Sequence, residues 1–215
     1  MKSGIWRLVL VEHKRILGRD GAGHPNAYAH AVLAVVPVKG LDGAKSRLAT
    51  TFSPAARADL VRAMLRNVLA ACAAARAVDG VLLVTPEPDV APDGVRVLVD
   101  SGTGHADAIA AALADERARD AALVVMADVP LVRAESLDRL AAAAEPVALA
   151  PAADGGMNAL AFRGGLAFEP AFGEPDAAAR TLERARAAGV EPAVVQDPLL
   201  ALDFDRPDDI AALVL

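Results

Sequence analysis

Basic residues and glycines are concentrated in one short stretch that follows a run of apolar residues. Residues 33–38 are continuously apolar and rich in valine, which predicts a short buried strand. The residues after this strand that could bind an anion are Lys39, Gly40, Gly43, Lys45, Ser46 and Arg47. Glycine lets backbone N–H groups approach an anion, the cations neutralise its charge, and ligands of open α/β sheets bind at the carboxyl ends of strands. The stretch therefore predicts a polyphosphate site, with a solvated basic turn as the alternative.

Three aspartates could form a metal site near that stretch. Asp128 follows the apolar run 123–127, so its carboxylate is predicted at the carboxyl end of a strand, where it could bind Mg²⁺. Taken alone, a turn cap explains Asp128 about as well. Asp203 and Asp205 alternate along an extended segment, so both carboxylates leave the same face. Two like charges this close either share a cation or are solvated, and we favour the cation.

Two further glycine-rich loops follow predicted strands. Residues 154–158 include Gly155 and Gly156, which allow a substrate to approach the backbone closely. The alternative is a type I′ hairpin turn that joins strands at 147–150 and 159–162, and the two interpretations are compatible. Residues 101–104 form the other loop, which is a candidate for binding a base or a ribose.

The order of the predicted elements indicates the fold class. Helices are predicted at 54–77, 106–114, 134–144 and from 173–176 to about 188, with a last helix from Pro207. Between them lie apolar strands at 33–38, 81–84, 95–99, 123–127, 147–150, 159–162 and 193–196. This alternation predicts one α/β domain, a Rossmann-like three-layer αβα sandwich with a mostly parallel sheet. The domain is expected to span residues 32–215, after an N-terminal extension over residues 1–31 in which residues 5–11 could form a strand.

Composition excludes several classes of function. The chain has 215 residues and a net charge of −6, so a general nucleic-acid surface is not expected. The single cysteine, Cys72, rules out an internal disulfide and a cysteine-based zinc site. No apolar run reaches membrane-spanning length, and the N-terminus does not read as a signal peptide. A cytoplasmic enzyme without a membrane partner is therefore expected.

Taken together, these motifs resemble the 2-phospho-L-lactate guanylyltransferase and phosphoenolpyruvate guanylyltransferase family of coenzyme F(420) biosynthesis, among the nucleotidyltransferases of molybdopterin-guanylyltransferase type. The resemblance covers about residues 32–213 and is strongest over VPVKGLDGAKSRL at 36–48. The segments ADVPL (127–131), APAADGGMNAL (150–160), Phe172-Gly173 and DFDRPDD (203–209) follow in the family's order. The departures from the family are Ala106 for an asparagine, Met157 for a threonine, Asp176 for a serine and Arg180 for a histidine.

The resemblance implies a role for each candidate residue. Catalytic roles are expected for Lys39, Lys45, Arg47 and Asp128. Nucleotide binding is expected from Pro37, Val38, Lys39, Gly40, Lys45, Ser46, Gly102, Gly104 and Asp128. Acceptor binding is expected from Gly155, Gly156, Met157, Gly173 and Asp176, and Mg²⁺ binding from Asp128, Asp203 and Asp205.

The same resemblance implies the fold of nucleotide-diphospho-sugar transferases and a reaction. The reaction is the Mg²⁺-dependent transfer of GMP from GTP to a small phosphorylated acid, with release of pyrophosphate. The acid would be 2-phospholactate, phosphoenolpyruvate or 3-phosphoglycerate. A homodimer is compatible with this resemblance. Two alternatives remain: a nucleotidyltransferase with a pterin or sugar-phosphate acceptor, and a nucleotide-binding homologue that has lost catalysis.

Overall fold

An eight-stranded sheet forms the centre of the molecule in a computed structural model that describes residues 7–9, 32–41, 45–100, 104–115, 118–205 and 209. The strands are β1 (Arg7–Val9), β2 (Val32–Pro37), β3 (Val78–Thr85), β4 (Arg96–Val99), β5 (Ala121–Val125), β6 (Val147–Pro151), β7 (Met157–Arg163) and β8 (Ala193–Val194). Their order across the sheet is β1-β4-β3-β2-β5-β7-β6-β8. Gly43, Gly102 and the predicted start of the last helix at Pro207 lie outside the described residues.

Strand β2 lies in the middle of the sheet and is buried along its whole length. It pairs in parallel with β3 on one side and with β5 on the other. Val35 of β2 is the register partner of Val124 of β5, so the two strands end at the same edge of the sheet. The basic stretch after β2 and Asp128 after β5 are neighbours for this reason.

Helices cover both faces of the sheet, which confirms the predicted three-layer sandwich. The helices α1 (Pro54–Ala74) and α3 (Ala134–Ala143) pack on one face, and α2 (His105–Leu113) and α4 (Ala177–Ala187) pack on the other. A short helix, α5 (Pro198–Ala201), follows β8. Helix α1 begins as predicted, because the Ser53 hydroxyl accepts a 3.2 Å hydrogen bond from the Ala56 N–H and Pro54 follows it. Among the described helices, none combines the length and the apolar character needed to cross a membrane.

The second half of the chain departs from a purely parallel sheet. Strand β7 lies between β5 and β6 and is antiparallel to both. The hairpin considered from the sequence is present, but its loop covers residues 152–156, which is too long for a two-residue type I′ turn. The strand predicted within residues 5–11 corresponds to β1, which pairs antiparallel with β4. The strand predicted at 193–196 is shortened to β8 at the other edge.

Hydrogen bonds fasten the β6–β7 hairpin to helix α5. The buried side chain of Asn158 donates from Nδ2 to the carbonyl oxygen of Leu200 at 2.8 Å. The Ala153 N–H donates to the carbonyl oxygen of Ala201, also at 2.8 Å. Because the chain continues from α5 to Asp203, these bonds hold the C-terminal aspartates close to the edge where β5 ends.

Candidate active site

A cavity of about 450 Å³ opens at the carboxyl ends of β2 and β5. Its wall combines cations and carboxylates with apolar side chains. The lining residues are Pro37, Val38, Lys39, Gly40, Lys45, Ser46, Arg47, Val61, Met64, His105, Met126, Ala127, Asp128 and Asp205. All three predicted catalytic cations and two of the three predicted metal ligands are among them. Gly104 instead lines an adjoining cavity of about 170 Å³.

Lys45 connects the basic stretch to the carboxylates. Its Nζ donates a 2.6 Å hydrogen bond to Asp128 Oδ2 and another of 2.6 Å to Asp205 Oδ1. The Lys45 side chain is only 8% exposed, so these ion pairs are little screened by salt. Lys45 also has a φ of 50°, a left-handed conformation that is unfavourable for a residue other than glycine. The two ion pairs help to offset that strain.

The other cations of the stretch are more open to solvent. Arg47 donates from Nη1 to Asp205 Oδ2 at 2.9 Å, but its side chain is 62% exposed. An exposed pair of this kind contributes little to stability. Lys39 and Ser46 are also exposed on the cavity wall. The stretch therefore places one sheltered and two accessible cations around a single cavity.

Asp128, Asp203 and Asp205 come together as a cluster of carboxylates. One oxygen from each lies within 4.8 Å of the other two. Phe204, between the two C-terminal aspartates, is buried, and its N–H donates to the carbonyl oxygen of Asp128 at 3.1 Å. This bond and the buried ring fix the two segments beside each other. Because Mg²⁺ prefers carboxylate oxygens, the three residues could hold a divalent cation.

The charges in this cluster are balanced unequally. Burial alone would lower the pKa of Lys45, but the carboxylates of Asp128 and Asp205 outweigh burial and raise it. Burial alone would raise the pKa of Asp205, but the hydrogen bond from Lys45 holds it below its usual value. Asp203 behaves in the opposite way, since burial and then repulsion from Asp128 and Asp154 raise its pKa to about 6. A cation bound beside Asp203 would relieve that repulsion.

His105 is a candidate site residue that was not selected from the sequence. It is the first residue of α2, directly after Gly104, and it lines both cavities. Burial, together with the positive charges of Lys39 and Lys45, lowers its pKa to about 4 against the opposing effect of Asp128. The imidazole is therefore neutral at pH 7. Its position between a glycine-rich strand-to-helix loop and a helix is the signal that could have identified it.

The first group of residues predicted to bind the acceptor lies beside the cavity, not in its wall. Met157 is buried at the start of β7. The Gly155 N–H donates to the carbonyl oxygen of Ala152 at 3.2 Å, and the Gly156 N–H donates to Asp154 Oδ1 at 2.9 Å. Both amides are engaged within the turn, so their donation to an acceptor stays a prediction.

The second predicted acceptor group contacts the first group and the cavity. Asp176, with a φ of 52°, immediately precedes α4, and its Oδ1 lies 3.4 Å from the position that a Cβ on Gly155 would occupy. Gly173 has a φ of 80°, and a Cβ built on it would lie 3.7 Å from the Cβ of His105. The loop that contains Gly155 thus lies beside Asp176 of the second loop, and the second loop lies beside His105 of the cavity wall.

The sheet is mostly parallel, a basic loop follows its central strand, and carboxylates face that loop at the same edge. These features define the class of nucleotidyltransferase-like α/β proteins. The fold is similar to the crystal structure of a candidate nucleotide-diphospho-sugar transferase from Desulfovibrio desulfuricans G20, with a TM-score of 0.68 and 21% identity over 86% of each chain. Residues 32–215 match the family described as guanylyl transferase CofC like, and the chain belongs to that family. The resemblance drawn from the motifs is confirmed.

Two relatives within this family carry different names. Phosphoenolpyruvate guanylyltransferase of Sphaerobacter thermophilus is 40% identical over 190 residues, covering 84% of this chain and 91% of the relative. 3-phospho-D-glycerate guanylyltransferase of Phenylobacterium zucineum is 42% identical over 189 residues, covering 82% of this chain and 86% of the relative. Because the two relatives are similarly identical to this chain, overall sequence similarity does not favour one of the two named activities over the other.

Proposed function

We propose that this protein is a guanylyltransferase that moves GMP from GTP to a small phosphorylated acid, within coenzyme F(420) biosynthesis. The observation that carries the proposal is the cavity in which Lys45 bridges Asp128 and Asp205 beside Lys39 and Arg47. Membership of the family supports the nucleotide and the transfer. The names of the two relatives support phosphoenolpyruvate or 3-phosphoglycerate as the acceptor, and 2-phospholactate is the third candidate.

The reaction is an in-line displacement at the α-phosphorus of the nucleotide. A phosphate oxygen of the acceptor forms a new bond to this phosphorus while the bond to the bridging oxygen breaks and pyrophosphate leaves. Such chemistry requires positioning and charge stabilisation more than a protein nucleophile. The exposed Lys39 and Arg47 would meet the triphosphate first, and the sheltered Lys45 would stabilise the charge that develops on the leaving pyrophosphate.

Asp128, Asp203 and Asp205 would hold Mg²⁺. The fit rests on three carboxylate oxygens within 4.8 Å of one another. Burial, and then repulsion from Asp128 and Asp154, raise the pKa of Asp203, and a cation bound beside it would relieve that repulsion. A divalent cation bound there would neutralise phosphate oxygens in the transition state. Because Lys45 occupies oxygens of Asp128 and Asp205 in this structure, Lys45 and the cation would compete for them.

The remaining assignments belong to the same proposal. Gly40, Ser46 and Gly104 would contribute to nucleotide binding from the walls of the two cavities, and the loops with Gly155 and Asp176 would bind the acceptor. Residues 32–215 would form the catalytic domain, a boundary supported by the span of the family match. The expected location is the cytoplasm.

Pyrophosphate release tests the proposal directly. The purified protein would be incubated with Mg²⁺, each of the four ribonucleoside triphosphates and a panel of 2-phospholactate, phosphoenolpyruvate, 3-phosphoglycerate and several sugar phosphates. We expect release with GTP and at least one of the phosphorylated acids, and none after chelation of the metal. Release only with a sugar phosphate, or only with CTP, would move the protein to another pathway. GTP binding without release for any acceptor would contradict catalysis.

A further inference from the structure

The two cavities share one stretch of wall. The larger contains the charged groups, and the smaller, of about 170 Å³, is lined by Pro86, Asp100, Gly104 and Ala108 among others. The residues that line both are Pro37, Val38, Lys39, Gly40 and His105. If the triphosphate occupies the larger cavity and the base the smaller one, the sugar of the nucleotide lies against the shared wall. This placement rests on the proposed function, because it requires a nucleoside triphosphate as the donor.

Only two of the shared residues have polar side chains, and their chemistry differs. Lys39 is an exposed ammonium group, which can only donate hydrogen bonds and is strongly hydrated. His105 is half-buried, and a neutral imidazole has one donor and one acceptor nitrogen. A ribose hydroxyl also donates and accepts, so the imidazole is the better match for it. The lowered pKa of His105 keeps the ring in this neutral form.

The position of His105 is also well defined. It is the first residue of α2, and its Cβ is in van der Waals range of the space beside Gly173. The start of α2 thus fixes the backbone of His105, the Gly173 loop lies beside its Cβ, and the side chain lines both cavities. We infer that His105 hydrogen-bonds a ribose hydroxyl of the bound nucleotide and gives the protein a preference for ribonucleotides over deoxyribonucleotides.

The test compares GTP with 2′-deoxy-GTP and 3′-deoxy-GTP. Dissociation constants would be measured by calorimetry with Mg²⁺ and without acceptor, for the full-length chain and for His105→Leu, His105→Asn and Asp107→Asn. We expect the unmodified protein to bind GTP about 10-fold more tightly than one of the deoxy analogues, the cost of one hydrogen bond. His105→Leu should reduce that ratio to about 2 or less, since it removes both nitrogens. His105→Asn should retain part of the ratio, because an amide also donates and accepts.

Asp107→Asn is the matched control, since it changes an exposed residue of the same helical turn that lines neither cavity. It should keep the full preference for GTP. The inference is wrong if the unmodified protein binds all three nucleotides equally or if His105→Leu keeps the full preference. In either case GTP binding and turnover would continue, so the proposed function would stand. A protein that binds no nucleoside triphosphate would overturn both.

Discussion

The proposed site has a donor side and an acceptor side that are built from different chemistry. The donor side consists of residues 37–40 and 45–47 together with Asp128, Asp203 and Asp205, and charged side chains carry its interactions. The acceptor side consists of residues 154–157 and 173–176. There two glycines have positive φ angles, 92° at Gly155 and 80° at Gly173, and the amides of Gly155 and Gly156 bond within their turn.

This difference separates reactivity from acceptor choice. Under the proposed function, charges on the donor side would act on the phosphorus at which bonds form and break, so a change there should affect transfer to every acceptor. On the proposed acceptor side, a few side chains and the shape of the loops would contact the part of the acid that differs between acceptors. Two relatives of nearly equal identity to this chain, 40% and 42%, are named for different acceptors, which agrees with this division.

The largest effect is expected from removing a donor-side carboxylate. Asp128→Asn takes away one charge of the carboxylate cluster and one partner of Lys45. We expect kcat to fall about 10³-fold for every acceptor, the upper range for loss of one group that stabilises transition-state charge. Pyrophosphate release measures it, with circular dichroism to check the fold.

Asp59→Asn is the control for that experiment, because Asp59 lies on the exposed face of α1 and forms an exposed ion pair with Arg62. Its activity should match that of the unmodified protein. A folded Asp128→Asn variant with near-normal turnover would remove Asp128 from the reaction. A loss of turnover with one acceptor and not with the others would contradict the proposed division between the donor side and the acceptor side.

The next effect concerns metal binding without nucleotide. Lys45→Met removes the ammonium group that now bonds to Asp128 and Asp205, so these oxygens become available to a cation. We expect the affinity for Mn²⁺, used as a probe, to rise about 10-fold, equivalent to about 1.4 kcal/mol, while GTP binds more weakly. Calorimetric titration measures both. Arg47→Met is the control, and it should change Mn²⁺ affinity less because Arg47 is exposed and contacts only Asp205 within the cluster. Unchanged Mn²⁺ affinity in Lys45→Met would rule out the competition.

The donor side was largely predictable because its chemistry resides in residue types at strand ends. Lys45 and Asp128 are far apart in sequence, but each follows a strand. The carboxyl ends of parallel strands lie at one edge of the sheet, and the two strands, β2 and β5, are neighbours. Their direct hydrogen bond could not be predicted. It depends on the left-handed backbone at Lys45, and no local pattern requires a lysine to adopt that conformation.

Other features were missed for physical reasons. The strands β6 and β7 are almost continuously buried, and such apolar runs read the same whether their hairpin joins the sheet at its edge or, as here, inserts β7 beside β5. A lone histidine such as His105 belongs to no motif, and the glycine-rich sequence before it is a weak signal, because its place in the wall of two cavities depends on the folded position of α2. The use of the Gly155 and Gly156 amides inside their own turn is likewise a property of the folded loop.

A smaller effect is expected on the acceptor side. Asp176 is exposed beside Gly155, and its negative charge should disfavour a phosphorylated acid bound there. Arg180 does not supply an obvious remedy, since its Nε donates to the carbonyl oxygen of Pro175 at 2.9 Å and its guanidinium lies 3.8 Å from Glu174. Asp176→Ser should change the ratio of kcat/KM between phosphoenolpyruvate and 3-phosphoglycerate by up to about 10-fold, with the KM for GTP unchanged.

Competition between the two acids in one reaction mixture measures that ratio. Asp176→Asn is the matched control, because it removes the charge and keeps the size of the side chain. If Asp176→Asn changes the ratio as much as Asp176→Ser does, charge is the cause. A change in the KM for GTP without any change in acceptor preference would mean that Asp176 does not belong to the acceptor side.

The smallest effect is a contrast in stability between two aspartates of the same segment, measured without metal. The pKa of Asp203 is raised from 3.8 to about 6, so ionisation of this residue destabilises the folded protein as the pH rises through 6. Asp203→Asn should therefore raise the Tm at pH 8 by about 2–4 °C, or about 1 kcal/mol after allowing for partial exposure, and raise it less at pH 4.5.

The pKa of Asp205 is lowered, so its charge stabilises the fold above its unfolded pKa and the benefit is lost on acidification. Asp205→Asn should lower the Tm at pH 8. Thermal unfolding in a chelating buffer measures both, and shifts of the same sign would show that Lys45 does not distribute its charge as the structure indicates. Opposite signs would mean that Lys45 compensates the charge of Asp205 and leaves the charge of Asp203 uncompensated in the absence of metal.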